Sequence, residues 1–340
     1  MEQTKIQWTD DTWNPFHGCH KVSEGCKYCY MYRDKERYGK DPNVVMKSKT
    51  GFYAPLKWKE PRLIFTCSWS DWFIEEADQW RDELWEIIKS TPHHTYQILT
   101  KRPERIKQCL PADWGQGYDN VWLGVSVENN KNLDRCMILG EIPAKVKFIS
   151  AEPLLGELPG LNEIFSKFKF DWCIIGGESG NSTGKYLYRE CKLEWIVDII
   201  KTCKEKNVKV FVKQTGTFLK KQLNLKDSHG GKIEEWPEEL KIREFPDKKT
   251  SSTLSTVVSN DEPKVKSKSL SKELSGATLN TGSKANRTVT SEKSSLDLAK
   301  EIKKIETEET FHKVTYVYEY VPTINKNPMN TSVSIIINNK

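Results

Sequence analysis

Three of the nine cysteines lie within eleven residues near the amino terminus, in the segment HGCHKVSEGCKYCY. Cys19 and Cys26 are separated by six residues, and Cys26 and Cys29 by two. Thiolates at such spacing are typical ligands of zinc or of an iron–sulfur cluster. The chain begins MEQTKIQWTDD, without the pattern of a secretory signal, and its cysteine count is odd. We therefore expect reduced thiols in a cytoplasmic protein rather than disulfides.

A zinc site is one interpretation of the three cysteines. Structural zinc takes four ligands, and His17 could complete a set of three cysteines and one histidine. His20 adjoins Cys19, and adjacent residues rarely bind one tetrahedral ion. The sequence has no second Cys-x2-Cys pair from which a usual zinc finger could form. This interpretation therefore depends on His17 as the fourth ligand.

An iron–sulfur cluster is the second interpretation, and it explains why the segment has no fourth cysteine. A 4Fe–4S cluster normally binds four thiolates. Cys19, Cys26 and Cys29 as ligands would leave one iron open to a substrate or cofactor. The other cysteines stand in apolar or helical patterns, so they are predicted to be buried: Cys67, Cys109, Cys136, Cys173, Cys191 and Cys203.

The stretch Cys26-Lys27-Tyr28-Cys29 has an aromatic residue before its last cysteine. Here the sequence resembles the radical S-adenosylmethionine (SAM) enzymes, although their usual first gap is three residues rather than six. The resemblance implies a partial β/α barrel and a 4Fe–4S cluster on the three cysteines. It also implies SAM bound to the open iron through its amino and carboxylate groups, and an electron donor such as flavodoxin or ferredoxin.

Several motifs occur in order through residues 2–245: TKIQWTDDTWNP, the cysteine segment, LTKRPERI, VWLGVSVEN, FISAEPLLG, IIGGESG and VFVKQTG. Together they resemble an uncharacterised phage-associated family, the Gp-thirty-seven/Gp-sixty-eight phage protein family of the three-cysteine-motif type. This resemblance implies a radical-SAM-like barrel and leaves the substrate open.

Short apolar runs alternate with helical patterns through residues 1–249, which we predict to form one domain. The runs are RLIFTCS (62–68), TYQILT (95–100), VWLGVSV (121–127), KVKFISA (145–151), DWCIIGG (171–177) and VKVFVKQ (208–214). Helices are predicted near 78–90, 131–139 and 192–206. Apolar strands that alternate with helices predict a parallel sheet covered by helices, here a partial or closed β/α barrel of the TIM type.

Each apolar run ends in polar residues or glycine. In β/α barrels the carboxyl ends of the strands carry the active site, so we predict that these residues converge on one mouth. The predicted cofactor-binding residues are Ser126, Glu128, Ser150, Glu152, Gly176, Gly177 and Glu178. The predicted substrate-binding residues are Lys101, Arg102, Lys213 and Gln214. Four tryptophans near these loops either pack in the core or stack on a base: Trp8, Trp13, Trp69 and Trp72.

The composition changes near residue 249, since all tryptophans and cysteines precede it. Residues 250–295 are rich in Ser, Thr and Lys and contain no aromatic residue, which predicts a disordered linker. Residues 296–340 are predicted to form a small element, with a helix at 296–306 and strands at 313–321 and 332–339.

The formal net charge of +6 permits an anionic substrate without requiring one. No apolar run is long enough to suggest a membrane span. We therefore predict an enzyme of the radical SAM type that generates a 5′-deoxyadenosyl radical, with nucleic acid or a nucleotide as candidate substrates. Two alternatives stay open: a zinc-stabilised nucleic-acid-binding protein without catalysis, and a phage or mobile-element interaction protein on a degenerate barrel.

Overall fold

A seven-stranded parallel sheet forms the centre of the first structural unit. The computed structural model describes Thr4, residues 6–246 and the backbone of four later strands, and its contacts divide the chain into Met1–Ser252 and Thr253–Lys340. The sheet has the order β1-β4-β5-β6-β7-β8-β9 and curls into a half-barrel. Its strands are β1 (Asp11–Trp13), β4 (Leu63–Thr66), β5 (Thr95–Thr100), β6 (Val121–Ser126), β7 (Val146–Ala151), β8 (Trp172–Gly176) and β9 (Lys209–Gln214). The predicted partial barrel is thus confirmed as a half-barrel.

Two short strands, β2 (Phe16–His17) and β3 (Met46–Lys47), form a separate antiparallel ribbon. The helices are α1 (Tyr30–Arg37), α2 (Arg81–Ser90), α3 (Ile106–Cys109), α4 (Asp134–Gly140), α5 (Leu161–Lys167), α6 (Leu193–Glu205) and α7 (Gly216–Gln222). All six predicted strands and all three predicted helices are present, within a few residues of the expected bounds. The edge strand β1, the ribbon strands β2 and β3, and the helices α1, α5 and α7 were not predicted.

The two faces of the sheet have different side chains, because successive residues of a strand point to opposite faces. The outer face packs against the helices through aliphatic residues such as Ile98, Leu123 and Ile175, which are all but fully buried. The inner face instead carries an aromatic layer: Trp8, Phe65, Trp122, Phe148, Trp172 and Phe211. The indole of Trp172 lies 5.8–6.1 Å from four of its neighbours, centroid to centroid. This layer fills the concave side of the half-barrel.

The second unit contains an antiparallel sheet of four strands in the order β10-β11-β13-β12. They are β10 (Ala277–Thr281), β11 (Asn286–Ser291), β12 (Val314–Tyr318) and β13 (Val333–Asn338). The strands predicted at 313–321 and 332–339 correspond to β12 and β13. Two strands fall within 250–295, whose other residues lie outside the described part of the chain, as does the helix predicted at 296–306. The disorder of this linker therefore stays a prediction.

The described residues include no helix with the length and apolarity needed to cross a membrane.

A candidate site at the cysteine loop

The residues predicted to form a site occupy the carboxyl end of the inner face, above the aromatic layer. Every second residue of a strand faces the same side of the sheet. Trp122 and Ser126 of β6 therefore both lie on the inner face, as do Phe148 and Ser150 of β7. These positions and their equivalents on neighbouring strands form what we call the polar layer: Lys101, Ser126, Glu128, Ser150, Glu152, Gly176 and Lys213. Two salt bridges cross it, one from Lys101 to Glu128 and one from Lys213 to Glu152. The structure thus brings most of the predicted residues together.

The cysteine loop, residues 18–29, follows β2 and leads into α1. Its start is fixed beside the end of β4, where the backbone N–H of Gly18 donates to Trp69 O (3.0 Å) and Ser70 Oγ donates to Gly18 O (2.5 Å). Gly18 has a φ of +104°, and a Cβ there would lie 2.1 Å from Val44 O, so only glycine fits. The loop therefore lies over the carboxyl ends of the strands.

Glu128, in the loop after β6, holds the middle of the cysteine loop. Its side chain is fully buried, and one oxygen accepts a hydrogen bond from Ser23 Oγ (2.7 Å). Its other oxygen accepts one from Arg135 Nη1 of α4 (2.8 Å). A Cβ on Gly25 would come within 2.3 Å of Glu128 Oε1, so the loop backbone lies directly against this carboxylate. The observed contacts of Glu128, which was predicted to bind a cofactor, are to the loop, to α4 and to Lys101.

Arg102, after β5, holds the beginning of the loop. Its guanidinium donates to His20 O (2.9 Å) and to Cys19 Sγ (3.7 Å), and forms a salt bridge of 3.2 Å with Asp71. Asp71 also accepts hydrogen bonds from Thr100 Oγ1 (2.6 Å) and the backbone N–H of Lys101 (2.9 Å). Arg102, predicted to bind substrate, thus contacts the first cysteine.

Glu178, after β8, holds the loop through Arg189. The buried carboxylate accepts hydrogen bonds from Arg189 Nε (2.8 Å), Nη2 (2.5 Å) and backbone N–H (3.0 Å). Arg189 Nη1 in turn donates to Glu24 O (3.0 Å), and the guanidinium lies 5.2 Å from the centre of the Tyr28 ring. Three residues of the site could not be predicted from the sequence, because only the folded chain places them beside the glutamates: Arg189, Arg135 and Ser23.

The three thiols are partly exposed and close enough to influence one another. Burial raises the pKa of Cys19 to about 12, with a further contribution from Asp71, against which Arg102 acts. Burial likewise raises the pKa of Cys29, while hydrogen bonds from the backbone of Met31 and Tyr32 lower it. Tyr32 has a pKa raised to about 12, first by burial and then by Cys19, Cys26 and Cys29 together. All three sulfurs thus lie near enough to Tyr32 to raise the pKa of its hydroxyl.

Within residues 6–246 we find no group of three or more His, Cys, Asp or Glu side chains placed to hold a metal ion. A single zinc ion would need every sulfur about 2.3 Å from one point, whereas the cysteines of a 4Fe–4S cluster bind different irons. The three thiols of the loop are donors of the kind that both zinc and 4Fe–4S clusters take, and Arg102 and backbone N–H groups donate to the sulfurs of Cys19 and Cys29. Such hydrogen bonds are a common means of tuning cluster thiolates.

Glu152 and Lys213 form the polar pair that stays partly accessible at the mouth. Their charged atoms lie 3.0 Å apart, with 14% and 27% of the side chains exposed. Ser150 Oγ lies 3.4 Å from the other oxygen of Glu152. A Cβ on Gly176 would come within 2.3 Å of Glu152 Oε1, so glycine leaves room for the carboxylate. This pair presents one anionic and one cationic group side by side.

The remaining predicted residues have structural contacts. Ser126, which pairs with Ser150, is buried, and its carbonyl accepts a hydrogen bond from Arg135 (2.7 Å). Gln214 donates to Gly177 O (2.9 Å) and Ser179 Oγ (2.7 Å), which ties β9 to the loop after β8.

Of the four tryptophans near the loops, three are buried in the core: Trp8, Trp13 and Trp72. Trp69 is partly exposed next to the start of the cysteine loop. Core packing therefore accounts for three of the four, and a stacking role remains open only for Trp69.

The fold and the site define an α/β protein whose open half-barrel carries a three-cysteine loop across the carboxyl ends of its strands. Residues 3–286 match the model of a family described as "Protein of unknown function (DUF5131)", so the chain belongs to this family. That description names no activity, cofactor or phage origin. No curated protein and no solved structure matches the chain.

Proposed function

We propose that the protein is a 4Fe–4S enzyme of the radical SAM type. The observation that carries the proposal is the position of the cysteine loop: three thiols of one loop are held over the carboxyl end of a parallel half-barrel. Three groups that follow different strands secure the loop there, namely Glu128, Arg102 and the Glu178–Arg189 pair. These contacts keep the three thiols at fixed positions over the strand ends.

Cys19, Cys26 and Cys29 would hold the cluster, with Arg102 balancing thiolate charge at Cys19. Glu152 and Lys213 offer complementary partners for an amino group and a carboxylate, which suits the zwitterionic end of SAM. With both cofactors bound, an external donor such as flavodoxin or ferredoxin would supply one electron through the cluster, and SAM would be cleaved to methionine and a 5′-deoxyadenosyl radical. The aromatic layer fills the half-barrel below the polar layer. Substrate would therefore enter from the carboxyl side, and the layer would exclude water from the amino side.

Anaerobic reconstitution with iron and sulfide tests the cluster. The wild-type protein is expected to become brown and to bind about four irons per chain. Cys26→Ala should lose most of the iron and the visible absorbance. Cys109→Ala, which removes a thiol outside the loop, should keep both. Full iron retention in Cys26→Ala would refute the assignment, and a colourless protein that binds zinc at one equivalent would favour the zinc alternative.

Titration with SAM tests the second cofactor. The electron paramagnetic resonance signal of the reduced cluster should change as SAM binds. Glu152→Gln should weaken this binding about tenfold to a hundredfold, because a hydrogen bond to a charged group contributes about 1.5–3 kcal/mol. Iron content should stay unchanged in this variant. A wild-type signal that does not respond to SAM would remove the radical mechanism and leave a structural or electron-transfer cluster.

A further inference from the structure

The positive charge of the folded unit is concentrated around the cysteine loop. Residues 21–59 contain ten Lys and Arg against four Asp and Glu, a net charge of +6. Residues 60–246 contain 27 basic and 29 acidic residues, a net charge of −2. The excess is therefore a local property of the segment that contains most of the cysteine loop, α1 and β3. We call residues 21–59 the basic segment.

Most of this charge is exposed and unneutralised. The basic segment has seven exposed Lys and Arg side chains, Lys21 and Lys27 in the cysteine loop among them. Its ion pairs in the described structure use other side chains, as in Arg33–Asp34 and Lys47–Glu83. Exposed cations of this kind bind the phosphates of nucleic acids, because they neutralise the phosphate charge and release the counterions condensed on it.

Exposed aromatic and apolar side chains are concentrated in the same segment. Seven of the eight large hydrophobic side chains that are exposed among the described residues belong to it. Three of these are tyrosines: Tyr38, with 68% of its surface exposed, Tyr30 and Tyr53. Bases of a single strand can stack on such rings, whereas bases inside a duplex are already stacked on one another. The aromatic residues thus favour a single strand over a duplex.

The segment folds back on the cysteine loop. The backbone N–H of Cys19 donates to Pro42 O (2.9 Å), and Tyr32 Oη of α1 donates to Asn43 Oδ1 (2.9 Å). The pairing of β2 with β3 places Met46 opposite His17, directly before the loop. Pro42 and Met46 thus lie beside the start of the loop, so a strand that extends from Tyr38 along this part of the segment would reach Cys19.

We propose that the basic segment binds single-stranded nucleic acid and presents it to the cysteine loop. The binding itself is independent of any cofactor. The further step, that the bound strand is the substrate, rests on the function proposed above.

Binding of fluorescent oligothymidine by the full chain, before and after iron loading, tests the proposal. In the triple variant Arg37→Ala, Lys40→Ala, Lys49→Ala we expect affinity to fall at least about tenfold at low salt. The slope of log affinity against log salt should fall by about two, since each phosphate contact on a single strand contributes about 0.7. The matched variant Lys107→Ala, Lys201→Ala, Lys204→Ala removes the same charge from exposed positions elsewhere. It should bind like the wild-type protein.

Tyr38 tests the stacking part separately. Tyr38→Ala should weaken binding about fivefold or more, and Tyr38→Phe, which keeps the ring, should restore it. The proposal is overturned if the wild-type chain does not bind the strand or if the two triple variants bind equally. It is also overturned if duplex DNA or polyglutamate competes as well as the unlabelled strand, because the surface would then bind any polyanion through charge and would have no preference for a single strand. Loss of iron binding with intact strand binding would contradict only the proposed enzyme.

Discussion

The two ends of the half-barrel interior use the same strands for opposite purposes. Towards the amino ends of the strands the inner face is filled by the aromatic layer, which lacks charged side chains. At the carboxyl ends of the strands and just beyond them it carries Glu128, Glu152, Lys101 and Lys213, which form two salt bridges, Lys101–Glu128 and Lys213–Glu152. The first end packs the interior, and the second secures the cysteine loop. The comparison implies that stability and function can be altered separately.

The largest effect is expected at the aromatic end. Trp172 is fully buried and contacts four other rings of the interior, so Trp172→Ala should lower the free energy of unfolding by about 3–5 kcal/mol. Urea unfolding followed by fluorescence or circular dichroism measures this. Trp172→Phe keeps a ring and should cost much less. Iron bound per folded molecule should not change in either variant; a selective loss of iron would show that the two ends are not separable.

An intermediate effect is expected at the polar end, from the buried Glu128 that contacts both Ser23 and Arg135. Glu128→Gln removes the charge that faces Arg135 and should lower the free energy of unfolding by about 1.5–3 kcal/mol. Because Ser23 lies on the same carboxylate, protease cleavage within the cysteine loop should become faster. Glu152→Gln is the matched control, since its carboxylate is partly exposed and touches no residue of the loop. Equal loop protection in both variants would mean that Glu128 does not position the loop.

The smallest effect concerns pH and lies again at the amino end, at His94 before β5. Burial, with His93 as a lesser cause, lowers the pKa of His94 below 6.5. The unfolded chain then binds more protons, so this contribution to stability is complete above pH 6.5 and is lost as pH falls towards the folded-state pKa. His94→Gln should flatten the rise of unfolding free energy with pH in that window. Equal slopes in wild type and His94→Gln would exclude this source.

The strands could be predicted from pattern because each inner strand is a short, almost continuous apolar run. TYQILT, for example, is β5 without a residue of error. The edge strand β1 was missed because DTW has neither an apolar run nor an alternating pattern. Helix α1 was missed for a similar reason, since YMYRDKER is mostly polar and is buried only at Met31, Tyr32 and Lys35.

Site residues were predictable as a set but not by role. The carboxyl ends of parallel strands must converge, so Glu128, Glu152 and Glu178 could be grouped from the order of strands and loops along the chain. Their partners could not be deduced. Arg189 is separated from Glu178 by an irregular loop, so the sequence does not show that the two side chains meet. Arg135 lies in a predicted helix, where an arginine is usually exposed to solvent. Which glutamate holds the loop and which faces the mouth depends on these partners alone.

The supports of the cysteine loop come from distant parts of the chain, and this has a consequence for synthesis. Ser23 and Glu128 are 105 residues apart, and Glu24 and Arg189 are 165 residues apart. The nascent chain emerges with its three thiols first, long before the arginine that secures them exists. Folding is therefore ordered in time: the loop can reach its final conformation only after most of the half-barrel has left the ribosome, and until then its three thiols stand on an unsecured segment.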